Sequence, residues 1–363
     1  MFKFTELRSV HLEISNNCQA SCPMCVRNVH GGLVNPLIKI QNWTLEEFKK
    51  IMNQEVLDQI NNYYYCGNFG DPILNNDLIE MCRYTTQNAP TLKVTIHTNG
   101  GARNTEWWTS LARAMPADHS VVFALDGLTD THSLYRIGTS FEKIIENAKA
   151  FIAAGGRANW TFIKFKHNEH QVEQAQRMAN DLGFEEFTIK NSSRFIDVPK
   201  YKVVDTKGLT THYLEPSTDT EMKFISKEVI DNAEKLTKES EIHCYADSVK
   251  EVFIDSYKNL MPCCWLATIP YNFIEADDYA APVRYKMLEE YNQLVEDLGG
   301  AVNLNTVNKT IKEIVESKEY QTVWYNSWEE HKLMTCARFC GKFKETVISK
   351  PRDQFIDVIK LAE

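Results

Sequence analysis

With 363 residues and 43% hydrophobic side chains, the chain can bury the core of one large domain or two ordinary ones. Lys and Arg number 40 against 49 Asp and Glu, a net charge of −9, which argues against general nucleic-acid binding because that needs a basic footprint. Residues 1–6 lack the apolar stretch of a signal peptide, and no segment reaches the ~18–20 apolar residues that span a bilayer, so a soluble, cytoplasmic protein without a membrane partner is expected.

Val10, Leu12 and Ile14 alternate with polar neighbours and predict a first strand. Cys18, Cys22 and Cys25 follow it. Thr44-Leu45-Glu46-Glu47 reads as a capping box that opens a helix with Leu45, Phe48, Ile51 and Met52 on one face. Residues 63–66 predict a second strand, which runs into Gly67-Asn68-Phe69-Gly70-Asp71-Pro72, and a helix starts at Leu78. Leu92, Val94 and Ile96 alternate again and stop at Thr98-Asn99-Gly100, and Thr105 is expected to cap the next helix. Residues 121–125 form a buried strand ending at Asp126-Gly127. Thr139-Ser140-Phe141-Glu142 reads as a second capping box. A strand over 160–165 precedes a helix through Val172, Ala175 and Met178 that ends at Gly183, and Phe187-Thr188-Ile189 closes the series.

Repeated strand–helix units imply a parallel sheet. Six units fall short of the eight of a closed barrel, so the expected fold is α/β, an open, partial (β/α)6 TIM-like barrel. The Cys, Gly, Asn and Asp residues collect just after the strands, the edge where parallel barrels build their active sites. Residues 198–241 lose the periodicity and read as a bridge ending in a helix. Beyond them, 251–255 and 260–261 flank Ser256-Tyr257-Lys258-Asn259 as a hairpin, and helical patterns cover 285–298 and 311–324. Three parts are therefore expected: a core over 1–197, a bridge over 198–241, and a small C-terminal α+β extension over 242–363.

In a cytosolic chain, clustered cysteines read as metal ligands before they read as disulfides. Cys18-x3-Cys22-x2-Cys25 can bind three irons of a [4Fe–4S] cube and leave the fourth open. A structural zinc site is the alternative, but zinc takes four ligands there, and only His11 and His30 are near enough in sequence to complete one. Cys66 and Cys82 stand alone and are expected to be buried, although Cys66 adjoins the Gly-rich turn.

This cysteine spacing after the first strand resembles the radical S-adenosylmethionine (SAM) superfamily over roughly residues 7–195. Gly67 to Pro72 looks like the family's Gly-Gly-Glu-Pro segment, with Asp71 in place of Glu. Thr98-Asn99-Gly100 is similar to its Thr-Asn-Gly, and Phe123-Ala124-Leu125-Asp126-Gly127 to its Ser-Leu-Asp-Gly, with Ala124 for Ser and Arg136 where an Arg typically follows. The resemblance implies a [4Fe–4S] cluster on Cys18, Cys22 and Cys25, with SAM held near Met24, Gly67, Asn68, Gly70, Asp71, Asn99, Asp126 and Arg136. It implies reductive cleavage of SAM to a 5′-deoxyadenosyl radical that abstracts hydrogen from a substrate, and a reductant such as ferredoxin or flavodoxin.

The later cysteines resemble the SPASM/twitch extension of the same enzymes. Residues 254–264 look like its hairpin, with Lys258 where Gly is usual, and residues 311–341 resemble its closing segment. With five cysteines in the region, the shorter twitch form fits, which implies one auxiliary [4Fe–4S] cluster on Cys244, Cys263, Cys336 and Cys340. Cys263 is favoured over Cys264 by its alignment with the motif, and a ribbon-like zinc site is the alternative. Relatives modify ribosomal peptides or proteins, or dehydrogenate small polyols and aminosugars. Seventeen residues precede Cys18, so a peptide substrate is expected to bind directly or through a separate recognition partner. A zinc-stabilised binding module without catalytic activity is the remaining reading.

Overall fold

Short apolar strands that bury side chains against a neighbouring layer recur six times before residue 192, most of them followed by helices. The computed structural model describes residues 1–192, 194–195, 199–219, 232–272, 281–330, 332–342 and 356–361. Its strands are, in chain order, β1 (Ser9–Leu12), β2 (Asn28–Val29), β3 (Leu33–Val34), β4 (Asn62–Tyr65), β5 (Lys93–Thr98), β6 (His119–Ala124), β7 (Ala158–Lys164) and β8 (Glu186–Asn191). They continue as β9 (Tyr201–Val204), β10 (Thr210–Leu214), β11 (Glu241–Ile242), β12 (Glu251–Ile254), β13 (Leu260–Met261), β14 (Gly341–Lys342) and β15 (Ile356–Lys360).

Nine of these form one sheet in the order β13-β12-β1-β4-β5-β6-β7-β8-β15. The seven strands from β12 to β8 are parallel, and β13 and β15 pair antiparallel at the two edges. The sheet is a partial barrel: its edges are not paired with each other among the described residues. The late strand β12 extends it by running beside β1, with Ser9 opposite Glu251 and Leu12 opposite Ile254.

The outward face of the sheet holds the core. Val94, Ile96, Phe123 and Trp160 pack with Trp108 and Leu111 of helix Thr105–Ala114 and with Ile144 and Phe151 of helix Phe141–Ala153. Phe123 and Phe151 are wholly buried, each contributing roughly 1.5–3 kcal/mol by leaving water. Phe123→Ala would break this layer at a cost of about 3–5 kcal/mol. The opposite face is joined by polar pairs: Ser9 Oγ donates to Asn62 Oδ1 (2.8 Å) and the Tyr64 hydroxyl to Glu251 Oε1 (3.0 Å).

Local signals decide the helix ends. The Thr44 box forms, with Thr44 Oγ1 accepting the Glu47 N–H and the Glu47 carboxylate accepting the Thr44 N–H. Two expected caps are displaced by one residue. Asn104, not Thr105, caps its helix by accepting the Trp107 N–H at 3.0 Å. Ser140 caps the helix that follows, and Thr139 instead donates to the Arg136 carbonyl, so no reciprocal box exists there. The pattern over 311–324 is two helices, Ile311–Val315 and Lys318–Glu329, because Ser317 starts a new one by accepting the Tyr320 N–H.

The bridge does end in a helix, Ala233–Glu239, but it also contains the β9–β10 hairpin, turned at Gly208 (φ +78°). The expected boundary between residues 197 and 198 lies outside the described residues. The hairpin expected over 251–261 forms, and Lys258 takes φ +69°, the left-handed conformation that favours glycine. Its ammonium reaches Glu47 Oε1 at 3.0 Å.

Candidate active site

The loop after β1 carries Cys18, Cys22 and Cys25 at the C-terminal edge of the parallel strands. Short backbone bonds shape it: Cys25 N–H donates to the Cys22 carbonyl (3.1 Å), Asn28 N–H to the Cys25 carbonyl (2.9 Å), and Ser21 N–H to the Ile137 carbonyl (2.7 Å). Asn28 Nδ2 also donates to the Cys22 carbonyl at 3.2 Å, and Arg27 Nη1 to the Asn16 carbonyl at 2.7 Å. Cys22 is buried; Cys18 and Cys25 are partly so. Burial pushes the Cys18 and Cys22 thiols up, and Arg136 opposes the rise at Cys22.

Two side chains aim N–H groups at these sulfurs. Asn99 Nδ2 lies 3.6 Å from Cys18 Sγ, and Arg136 Nη1 lies 3.7 Å from Cys22 Sγ. Arg136 is held by Asp126, whose Oδ2 accepts its Nε–H at 2.6 Å and whose Oδ1 accepts the Ile163 N–H at 2.6 Å. Asp126 is fully buried; burial raises its pKa and the guanidinium opposes that rise.

The turn after β4 lies flush against the start of the cysteine loop. A Cβ on Gly70 would stand 2.0 Å from the Ser15 carbonyl oxygen, so only glycine fits. Asp71 N–H donates to the Asn17 carbonyl (2.8 Å). Both Asp71 oxygens accept bonds within the protein: Oδ1 from Thr98 Oγ1 (2.8 Å) and Ile73 N–H (3.2 Å), Oδ2 from Asn99 N–H (2.7 Å). Asp71 thus ties the ends of β4 and β5 together. Gly67 closes the turn, where a Cβ would meet the Gly70 carbonyl oxygen at 2.3 Å. Asn68 Nδ2 donates to the Cys264 carbonyl at 3.0 Å. Met24 is buried, its carbonyl accepting from Arg194 Nη1 and its sulfur 3.8 Å from Ser192 Oγ.

Three contributors were invisible to sequence reasoning. Glu13, buried at the end of β1, accepts the Phe69 N–H (2.7 Å) and Gly70 N–H (3.3 Å) through Oε1, and Oε2 has no hydrogen-bond partner. Burial pushes its carboxyl up to about 8. The alternating pattern of the strand carried no signal for it. Gln19 Nε2 donates to Asn99 Oδ1 at 2.6 Å. The β9–β10 hairpin covers the cysteine loop: Tyr201 OH donates to the Pro23 carbonyl (3.1 Å), and Val203 and Leu214 pack with Ala20, Cys22 and Met24.

The later cysteines converge from distant parts of the chain. Cys244 precedes helix Tyr245–Val249, Cys263 precedes helix Cys264–Thr268, and Cys336 and Cys340 sit one turn apart on helix Met334–Cys340. Pairing of β11 with β14, and the His243 N–H bond to the Cys340 carbonyl (2.9 Å), bring Cys244 beside Cys340. Burial pushes Cys244 and Cys263 up to about 12, and each is raised further by neighbouring thiols. Burial also raises Cys336, with Cys244, Cys263 and Cys340 adding to it. Cys264 lies beside Cys263 with its carbonyl taken by Asn68. Cys82 is buried in the core and Cys66 is partly buried, its carbonyl 2.6 Å from His11 Nε2.

Among the described residues no three His, Cys, Asp or Glu groups are spaced as ligands of one metal ion. In a cubane each thiolate takes its own iron, which spaces the sulfurs more widely than a single ion does. The donor set fits such a cluster: three thiols on one loop, N–H donors at two of the sulfurs, and a coordinating thiol that iron deprotonates despite burial.

Residues 12–182 match the family model described as the Radical SAM superfamily. SuiB from Streptococcus suis is similar in structure at 15% identity, over 78% of this chain and 68% of that one, with a TM-score of 0.50. A histidine-tagged anSMEcpe with bound AdoMet is similar at 14% identity, over 92% of this chain and 85% of that one, also with a TM-score of 0.50. At such identities the likeness is one of fold. No curated protein matches the chain. No helix among the described residues is long and apolar enough to cross a membrane.

Proposed function

We propose, because residues 12–182 match the radical SAM superfamily, that this chain is a SPASM/twitch-type enzyme in which a [4Fe–4S] cluster on Cys18, Cys22 and Cys25, once reduced, cleaves SAM and supplies a 5′-deoxyadenosyl radical for hydrogen abstraction. The observation that carries the reading is the N–H pair at Cys18 and Cys22, presented by loops of neighbouring strands at one sheet edge. The protein's own residues do the positioning. Glu13 and Asp71 fix the Gly67–Asn68–Gly70 turn on the SAM side, and Asp126 holds Arg136 as a cation beside the cysteine loop. Met24 and the β9–β10 hairpin exclude water from the loop.

A single auxiliary [4Fe–4S] cluster on Cys244, Cys263, Cys336 and Cys340 belongs to the same proposal. Its support is the convergence of the four cysteines, with the His243 N–H on the Cys340 carbonyl and with Cys244, Cys263 and Cys340 close enough to add to the burial that raises Cys336. Held by those four thiols, such a cluster would supply an acceptor for the electron that the substrate radical gives up after hydrogen abstraction, and a ferredoxin or flavodoxin would supply the electron for SAM cleavage. The substrate is a peptide or protein, a choice supported by the breadth of the family.

The test is anaerobic purification, cluster reconstitution, iron and sulfide counting, and assay of 5′-deoxyadenosine after reduction with SAM present. About eight irons per chain with nucleoside release is expected. About four irons with release would remove the auxiliary cluster alone, and zinc without iron would remove the enzyme.

A further inference from the structure

We propose that Asn99 sets the reduction potential of the first cluster, through a side-chain N–H held on the Cys18 sulfur by Gln19 and by the turn after β5. This rests on the reading of Cys18, Cys22 and Cys25 as cluster ligands.

The hydrogen-bond network fixes which end of the amide faces the sulfur. The Gly101 N–H points at Asn99 Oδ1 from 2.8 Å, and a backbone N–H can only donate, so the atom it meets is the oxygen. Gln19 Nε2 donates to the same oxygen at 2.6 Å. Nδ2 is therefore left toward Cys18 Sγ at 3.6 Å. The backbone cannot swing away: Asn99 N–H is bonded to Asp71 Oδ2 at 2.7 Å, and Gly100 follows at φ +69°, where a Cβ would meet the Phe123 ring at 2.7 Å. Asn99 itself is buried, so water does not compete for either end of its amide.

The consequence is electrostatic. Reduction adds negative charge to the cluster and its thiolates. An N–H dipole aimed at a ligand sulfur stabilises the reduced form more than the oxidised form and raises the potential. In a buried, low-dielectric setting that preference is strengthened. Asn99 is a positioning residue that acts through Cys18, and Gln19 acts through Asn99.

The test uses the full chain, anaerobically reconstituted and titrated without SAM, with EPR as the readout. The variants are made in a Cys340→Ala background, which lacks the second set, and the remaining signal is assigned to the first cluster by its change in that parent when SAM is then added. Asn99→Asp keeps the shape and the acceptor for Gly101 but deletes the donor. Its midpoint should move to more negative potential, with Asn99→Leu moving the same way. Gln19→Met, which leaves Asn99 in place and removes one restraint, should move it in the same direction by less. If the Asn99 variants fail to hold iron, Gln19→Met decides alone. Midpoints equal to that of the parent in variants that hold the cluster would overturn the inference and leave the reading of the cysteines intact. A wild-type chain that assembles no iron–sulfur cluster would overturn that reading, and the inference with it.

Discussion

Asn68 Nδ2 donates to the Cys264 carbonyl at 3.0 Å, across 196 residues of sequence. The bond ties the turn after β4 to the segment that carries Cys263, so the two cysteine groups share a rigid connection. The Phe69 ring reinforces it, packing 5.2 Å from Tyr271 just beyond that segment. Asn68→Ala should lower stability by about 1 kcal/mol, the worth of one such bond. It should also speed alkylation of Cys263 and Cys264 in the apo protein. An unchanged denaturation midpoint together with unchanged labelling would show that the bond connects nothing.

Glu13 makes a prediction about pH. Burial raises its folded carboxyl to about 8, against an ordinary value of 4.5. Between those limits the folded state binds a proton that the unfolded state has lost, so this group's contribution to stability falls as pH rises. Glu13→Gln keeps an acceptor for the Phe69 N–H and removes the ionisation. The melting temperature of Glu13→Gln relative to wild type should climb steadily from pH 5 to pH 8. A difference that stays flat over that range would mean that Glu13 ionises normally.

The cysteines should partition into two independent sets. Cys22→Ala should abolish 5′-deoxyadenosine formation and remove about four irons, whereas Cys340→Ala should remove about four irons and leave SAM cleavage measurable. Iron, sulfide and nucleoside analysis on the same preparations checks both. Nucleoside formation retained in Cys22→Ala would refute the first assignment.

Arg136 is the counterion of a carboxylate with no exposure to water. Arg136→Met would strand Asp126 and cost about 3–5 kcal/mol at neutral pH. Without the guanidinium, the folded Asp126 pKa rises further, and lowering the pH favours its neutral form, so the deficit should be smaller at pH 5 than at pH 8. Urea denaturation at the two pH values measures this, and an equal deficit at both would mean that Asp126 is neutralised by another group.

Much of the architecture was written in local pattern. The six short apolar strand patterns, two of them alternating, and the Gly, Asn and Asp residues after several of them are short-range features, and β1, β4, β5, β6, β7 and β8 follow from them directly. What escaped depends on distant partners. Glu13 alternates with Leu12 and Ile14 like any solvent-facing residue, and it is buried where the turn after β4 brings the Phe69 and Gly70 N–H groups onto its carboxylate. Gln19 is an ordinary polar loop residue until the turn after β5 brings Asn99 to it. The β9–β10 hairpin was obscured because most of its side chains are polar or exposed, and its register rests on a bulge near Thr210–His212. The one-residue cap displacements at Asn104 and Ser140 arise because adjacent Asn, Ser and Thr side chains all suit the role, and backbone geometry chooses among them.

The pairing of β1 with β12 has a consequence for how the chain is made. Ser9 leaves the ribosome early, and its partner Glu251 is still 242 residues away. At about 5–20 residues per second, the nascent β1 waits roughly 12–48 s for that neighbour. Throughout the interval one side of the strand presents unsatisfied amides and carbonyls, a template for mispairing with another chain. Chaperones that cover this strand edge during synthesis should therefore raise the soluble fraction of the protein.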